Sequence, residues 1–152
     1  MKPDPSQPWK GYQLDDSVPY LMNRVTGMMN RQLELELRSL KVSFQHWRIL
    51  AVLAKQNGSS ITDLSAYAVV PHSSLSRLLT RMEDEGYVRR EVDSADARTV
   101  RLYTTAAGVA MYRRILPMAI GVREQAMAGL SGAQKSALLA LMNHMLTQLQ
   151  AP

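Results

Sequence analysis

The residues best suited to recognition chemistry lie between positions 73 and 81, where the chain reads SSLSRLLTR. At 100° per residue, turning Leu75, Leu78, Leu79 and Met82 inward sends Ser73, Ser76, Arg77 and Thr80 to the opposite face of a helix. Ser74 and Arg81 border that face, which stays neutral or basic for two turns. Glu83, Asp84 and Glu85 come only at its far end. Short hydroxyls and planar guanidinium groups hydrogen-bond base edges and phosphates, and acids held at the distal end escape phosphate repulsion. A helix entering a major groove N-terminus first presents that pattern. Arg98 is a second candidate, in the polar, turn-prone run DSADART. A guanidinium at a hairpin tip could enter the minor groove, where the negative potential is enhanced.

Other chemistries find no residues to carry them. The chain has no cysteine, which removes disulfides, thiolate nucleophiles and zinc–thiolate sites. His46, His72 and His144 are far apart in sequence, and none has a partner at metal-ligand spacing. His72, just ahead of the recognition stretch, could touch a phosphate. No nucleophile–base set or phosphate-cradling glycine loop occurs. The expectation is a protein that is not an enzyme and uses no cofactor or metal.

At 152 residues the chain has the length of one domain. That is too short for a dinucleotide-binding unit with a substrate domain, or for a (β/α)8 barrel. A composition of 46% hydrophobic and 20% charged residues is that of a globular protein. The net charge is +5, from 18 Lys and Arg against 13 Asp and Glu, and only five of the basic residues are lysines. Such a balance permits a nucleic-acid partner without requiring one. No apolar run approaches the ~20 residues of a membrane span, and the opening MKPDPSQPWKGYQLDD lacks a signal peptide's apolar core. A soluble, cytoplasmic protein with no membrane partner is expected.

The elements that must position these groups can be read from periodicity and caps. Residues 1–14 form an expected arm, rich in proline. From Asp15 to about Leu40, apolar residues recur every three or four positions (Val18, Leu21, Met22, Val25, Met28, Met29, Leu33, Leu37), which predicts a helix. Asp15 and Asp16 suit its N-terminus and Pro19 its first turn. Ser43 offers an N-cap to a second helix that Gly58 closes at C′. Ser60 caps a short helix from Ile61, with Leu64, Ala68 and Val69 inward. Pro71 interrupts, and a helix from about Ser73 to Glu85 is closed by Gly86. Tyr87–Val92 and Val100–Tyr103 read as two strands of a hairpin. A long helix starts at Thr105, where Pro117 should kink or end it. Ser131 and Gln134 form a capping box for a last helix to about Gln150. The predicted fold is mainly α with a small β-hairpin wing: a winged helix-turn-helix at about 43–105, flanked by helices at about 15–40 and 106–150.

Three runs carry a resemblance to a known family. They are WRILAVL at Trp47–Leu53, SSLSRLLTRMEDEG at Ser73–Gly86 and, most specifically, DARTVRLYTTAAG at Asp96–Gly108. Over about residues 15–149 the chain resembles the MarR family of bacterial transcriptional regulators. Tyr103-Thr104-Thr105 departs from the family's more frequent Leu-Thr, at the edge of the wing only. The resemblance implies a homodimer whose paired winged helices meet successive major grooves of a pseudo-palindromic operator in double-stranded DNA. It also implies a repressor released by a small molecule, often an aromatic acid. Asp96, a poor DNA contact itself, would hold the Arg98 guanidinium or the wing backbone. The strand arginines Arg89, Arg90 and Arg101 cannot be assigned to a face without the register.

Two further surfaces follow. The last helix carries Leu138, Leu141, Met142, Met145 and Leu149 on one stripe, wider with Leu139 and Leu146 than a surface helix needs, and is expected to dimerise. Arg24, with Tyr20, Met28, His46 and Trp47 around it, would suit an aromatic carboxylate, guanidinium to carboxylate and ring to ring. The plainer reading pairs Arg24 with Glu34, Glu36 or a partner-chain acid and puts Trp47 in the core. A constitutive DNA-binding regulator without a ligand and a winged helix used for protein contact stand as alternatives.

Overall fold

The computed structural model describes residues 14–68 and 72–150. The arm over residues 1–13, the inward Val69, the break at Pro71 and the side chain of His72 lie outside the described residues. The elements run α1 (Val18–Leu37), α2 (Phe44–Lys55), β1 (Ser59–Ser60), α3 (Ile61–Ala68), α4 (His72–Asp84), β2 (Val88–Val92), β3 (Val100–Thr104), α5 (Ala106–Ala126) and α6 (Gly132–Gln150).

Caps set most of these boundaries. Ser17 precedes α1 with Pro19 in the first turn, while Asp15 and Asp16 fall in a separate 3-10 turn, Leu14–Asp16. The first helix also stops earlier than its apolar spacing suggests. After Leu37 the chain tightens into a 3-10 turn, Arg38–Leu40, and Lys41 takes a left-handed φ of 58°. Ser43 caps α2 as expected, but α2 ends at Lys55 with Gln56 as C-cap, so Gly58 serves the turn into β1 rather than C′. Ser60 Oγ accepts from the Asp63 N–H at 3.1 Å, and Asp63 accepts in return from the Ser60 N–H at 3.3 Å. At the end of α4 the Tyr87 N–H donates to Met82 O and the Gly86 N–H to Glu83 O, a Schellman closure with Gly86 at φ 76°.

The hairpin is part of a larger sheet than the sequence suggests. β1 pairs antiparallel with β3 (Ser59 opposite Leu102), and β3 pairs with β2 (Val88 opposite Thr104, Val92 opposite Val100), in the order β1-β3-β2. Pro117 neither ends α5 nor interrupts its run from Ala106 to Ala126. Its ring lies on the exposed side, while Met111, Ile115 and Val122 on the other side are buried.

One core joins the helix-turn-helix, the sheet and α5. Ile49, Leu50 and Leu53 from α2 meet Leu64 and Ala68 from α3, Leu75, Leu79 and Met82 from α4, and Val88 and Leu102 from the sheet. Fully burying each leucine, isoleucine, valine or methionine of this set is worth roughly 1.5–3 kcal/mol. Gly108 allows α5 to dock: a Cβ there would collide with the carbonyl of Tyr87. α6 stands apart. Every residue of it except Lys135 is exposed.

Candidate nucleic-acid interface

Burial of Leu75, Leu78, Leu79 and Met82 fixes the roll of α4, and Ser73, Ser74, Ser76, Arg77, Thr80 and Arg81 all emerge on its exposed side. Thr80 donates to Ser76 O at 3.1 Å and accepts from Arg90 Nη2 at 3.2 Å, so its hydroxyl is already engaged inside the chain. Arg81 Nε donates to Glu85 at 2.8 Å. Arg77 differs: among the described residues no acceptor reaches its guanidinium.

The register assigns the strand arginines. Arg90 shares the sheet face of Val88 and reaches Glu83 of α4 at 2.8 Å. Arg89, on the opposite face, pairs with Glu91 and lies over the Tyr103 ring, 4.9 Å from its centroid. Arg101, cross-strand from Glu91, pairs with Asp93 and donates to Gly58 O at 3.0 Å. Through Arg90 and Arg101 the wing is tied to α4 and to the turn before β1.

Two aspartates shape the wing tip. Asp93 Oδ1 accepts from the N–H groups of Ala95 and Asp96, at 2.7 and 3.1 Å. The Arg101 guanidinium, aided by those N–H groups, holds its carboxyl below the usual carboxylate range. Asp96 accepts from the Arg98 N–H at 3.0 Å and from Thr99 Oγ1 at 2.9 Å. Of the two roles open to it in the sequence, the geometry gives Asp96 the wing backbone and not the guanidinium. Arg98 is left exposed at the tip, and among the described residues its guanidinium has no acceptor. Sequence reasoning passes over Asp93. Its signal is nonetheless local, an Asp two and three residues before the N–H groups it binds, as in an Asx turn.

The other candidate residues fall in two places. Leu138, Leu141, Met142, Met145 and Leu149 are exposed along α6. Tyr20, Arg24 and Met28 lie on the outer half of α1, with Arg24 5.8 Å from the Tyr20 ring centroid and free of the ion pair with Glu34 or Glu36. Glu34 instead accepts from the Phe44 N–H at 2.6 Å. On α2, His46 is buried with both ring nitrogens engaged, by Ser43 and by Glu85. Trp47 stacks on Tyr112 of α5, 5.4 Å between centroids and 9° from parallel. Beside Tyr112 a cavity of about 430 Å³ is lined by Leu50, Leu53, Val109 and Leu116, together with Asn57 and Arg113.

A helix-turn-helix whose second helix exposes hydroxyls and a bare arginine, followed by a wing with another, defines a winged-helix DNA-binding protein. Comparison with known proteins agrees. The MarR family profile matches residues 40–99. The transcriptional regulator HosA of Escherichia coli O111:H- is 30% identical over 100 residues, 66% of this chain and 74% of that protein. The transcriptional repressor IacR of Pseudomonas putida is 24% identical over 123 residues, 81% of this chain and 74% of that one. A MarR-family regulator from Silicibacter pomeroyi superposes with a TM-score of 0.84 at 37% identity, covering 92% of this chain and 94% of that structure. The chain belongs to the MarR family. It is a DNA-binding transcriptional regulator, and its relatives are regulators rather than enzymes.

Proposed function

We propose that this regulator acts as a repressor: a homodimer that binds a pseudo-palindromic operator and is released by a small organic effector, an aromatic acid or its thioester. The observation that carries the DNA-binding assignment is that Arg77 and Arg98, unlike Arg81, Arg89, Arg90 and Arg101, commit no charge to a carboxylate of the described chain. Ser73, Ser74, Ser76 and Arg77 read base edges from α4, Thr80 and Arg81 flank them, and Arg98 enters the minor groove while Asp96 shapes the tip. Relatives named as repressors support the sign of regulation.

The dimer reading is supported by exposure. Leu141 and Leu149 of α6 are 63% and 82% exposed in the single chain, and Leu21, Val25 and Met28 of α1 are exposed as well. A two-fold contact between such faces removes a patch that a monomer would not keep in water. The effector reading is supported by the Trp47–Tyr112 pair and its neighbouring apolar cavity, whose volume falls in the range of small-molecule sites. Arg113, which lines the cavity, offers a guanidinium to a carboxylate, and Arg24 on α1 is a second candidate that does not line it.

The test is Arg98→Ala, titrated by fluorescence anisotropy against a duplex enriched from a random library by the wild-type protein, at two salt concentrations. Loss of one groove contact should cost about 1–3 kcal/mol, with the fold unchanged by circular dichroism. Affinity within twofold of wild type removes Arg98 from the interface. Wild-type binding that does not weaken with salt sinks the DNA reading and favours protein contact.

A further inference from the structure

The side chain of His46 is 2% exposed, and it lies between two structural caps. On one side is the start of α2. The Ser43 N–H donates to His46 Nδ1 at 3.2 Å, and Ser43 Oγ accepts from the His46 N–H at 3.4 Å, a reciprocal capping box with histidine in the place of the usual Glu or Gln. On the other side is the end of α4. His46 Nε2 lies 3.0 Å from Oε2 of Glu85, the residue that follows that helix, and the other carboxylate oxygen of Glu85 accepts from Arg81 Nε at 2.8 Å. A backbone N–H can only donate, so Nδ1 must carry the lone pair and Nε2 the proton. The neutral ring therefore accepts from α2 and donates to the end of α4.

We propose that His46 is a positioning residue for DNA binding, which locks the end of the recognition helix to the start of α2 through Glu85 and thereby sets the reach of Arg81. It rests on the DNA-binding reading of α4 above, but not on any effector. Glu85 and Arg81 close the last turn of α4, so the far end of that helix is pinned to α2 by one carboxylate shared between a buried ring and a surface guanidinium. Arg90 pins the same end from the sheet, through Glu83.

The lock holds only while the ring is neutral. A second proton would sit on Nδ1, against the Ser43 N–H. Ser43 Oγ, 2.6 Å from Nδ1, would have to turn its own proton away to receive it. Four groups face the ring: Glu85 and Arg81 from α4, Glu34 from α1, and the Tyr87 ring edge-on from the turn after α4, at 6.5 Å between centroids. Burial lowers the histidine pKa and Arg81 adds to that, against the opposing pull of Glu85 and Glu34. Acid therefore breaks the ring's bond to the start of α2, while the Nε2–H bond to Glu85 becomes charge-assisted and keeps the ring on α4, so the link between the two helices is lost at its α2 side. The fold can remain intact meanwhile.

The experiment compares wild type, His46→Gln and His46→Leu, all full-length, against the library-enriched duplex and against a scrambled duplex of equal length, from pH 8 to pH 5.5. A glutamine can accept from Ser43 and donate to Glu85 but cannot take a proton; a leucine fills the space and does neither. Expected is about a tenfold loss of affinity for the enriched duplex in His46→Leu at pH 8, equivalent to about 1.4 kcal/mol, and recovery to within threefold in His46→Gln. Wild type should lose affinity for the enriched duplex on acidification relative to His46→Gln, whose profile lacks that component. His72 and His144 are present in all three proteins, so whatever they contribute cancels in the comparison. Parallel pH profiles for wild type and His46→Gln overturn the proposal, and so does a folded His46→Leu that binds like wild type. If wild type fails to distinguish the enriched duplex from the scrambled one, the DNA-binding reading itself has failed, which is a separate outcome. If His46→Leu does not fold, the pH comparison with His46→Gln alone decides.

Discussion

Leu75, Leu79 and Met82 of α4 are fully buried by their own chain, whereas α6, a longer and more apolar helix, leaves its leucines and methionines exposed. The described part of the winged helix is packed and capped within one chain. Among the described residues its leucines have partners, α2 and α3 have serine caps at their starts, α4 has a closed C-terminus, and all but two of the arginines on α4 and the wing are matched by carboxylates or ring contacts. The bare arginines therefore stand out against a background that is otherwise satisfied. Along α6 the deficit is apolar rather than charged, which supports a partner surface rather than an ion. The kind of group left unsatisfied supports the proposed partners: phosphate and base edges for α4 and the wing, another apolar face for α6.

The sharpest way to break that contrast is to put a charge in the apolar deficit. Leu141→Glu or Met145→Glu should yield monomer or aggregate in sedimentation velocity, because a carboxylate trapped in an apolar contact has no partner and strongly disfavours it. An intact dimer for both variants means that the interface lies elsewhere. A substitution in the completed region behaves differently. Leu64→Ala on α3, at a site with no exposure, should lower unfolding free energy by about 2–5 kcal/mol in urea titrations. That loss should not depend on protein concentration, whereas any stability lost through α6 should.

Part of the contrast is legible in the amino-acid sequence. The inward set on α4 follows from a 3.6-residue period over a single well-marked helix, and all four residues are buried as that period requires. Ser43, Ser60 and Ser131 cap their helices because capping uses residues within a turn of one another. Long-range partnership leaves no such local trace. β1 is two residues long, too short for any alternation, and exists because Ser59 and Ser60 meet Leu102 and Arg101 across the chain. The faces of Arg89, Arg90 and Arg101 follow only from the strand register. The Glu85 partner of His46 lies 39 residues away, at the opposite end of a different helix. At Pro117 the expected end of the helix does not occur, because an exposed proline sits inside a helix whose other side is buried in the core.

The completed region should also answer to acid in a way the apolar end cannot. Burial holds the His46 pKa below its ordinary 6.5, so the unfolded chain binds a proton that the folded one resists. The sign follows from linkage: the stability due to neutral His46 is present above pH 6.5 and is lost as pH falls through the folded value. Urea midpoints should therefore drop between pH 7.5 and pH 5.5, and the drop should be smaller in His46→Gln. Equal drops in the two proteins assign the acid response to other groups.

The smallest expected effect concerns how α6 is attached. Glu124, near the end of α5, accepts from Lys135 Nζ and from Arg123 Nη2, both at 2.8 Å, and those cations hold its carboxyl below the usual range. This ion pair crosses from α5 to α6, and Lys135 is the one half-buried residue of α6. If α6 were held in place by its own chain, Glu124→Gln would free it, and thermal unfolding would show an early transition. If a partner's apolar face holds it, the pair is an exposed, salt-screened contact with little left to contribute. Glu124→Gln should then leave the melting midpoint and the sedimentation coefficient within experimental scatter of wild type, at low and at high salt. A clear loss of either would mean that α6 is anchored by charge within the chain, and the division between a completed winged helix and an unfinished apolar base would have to be redrawn.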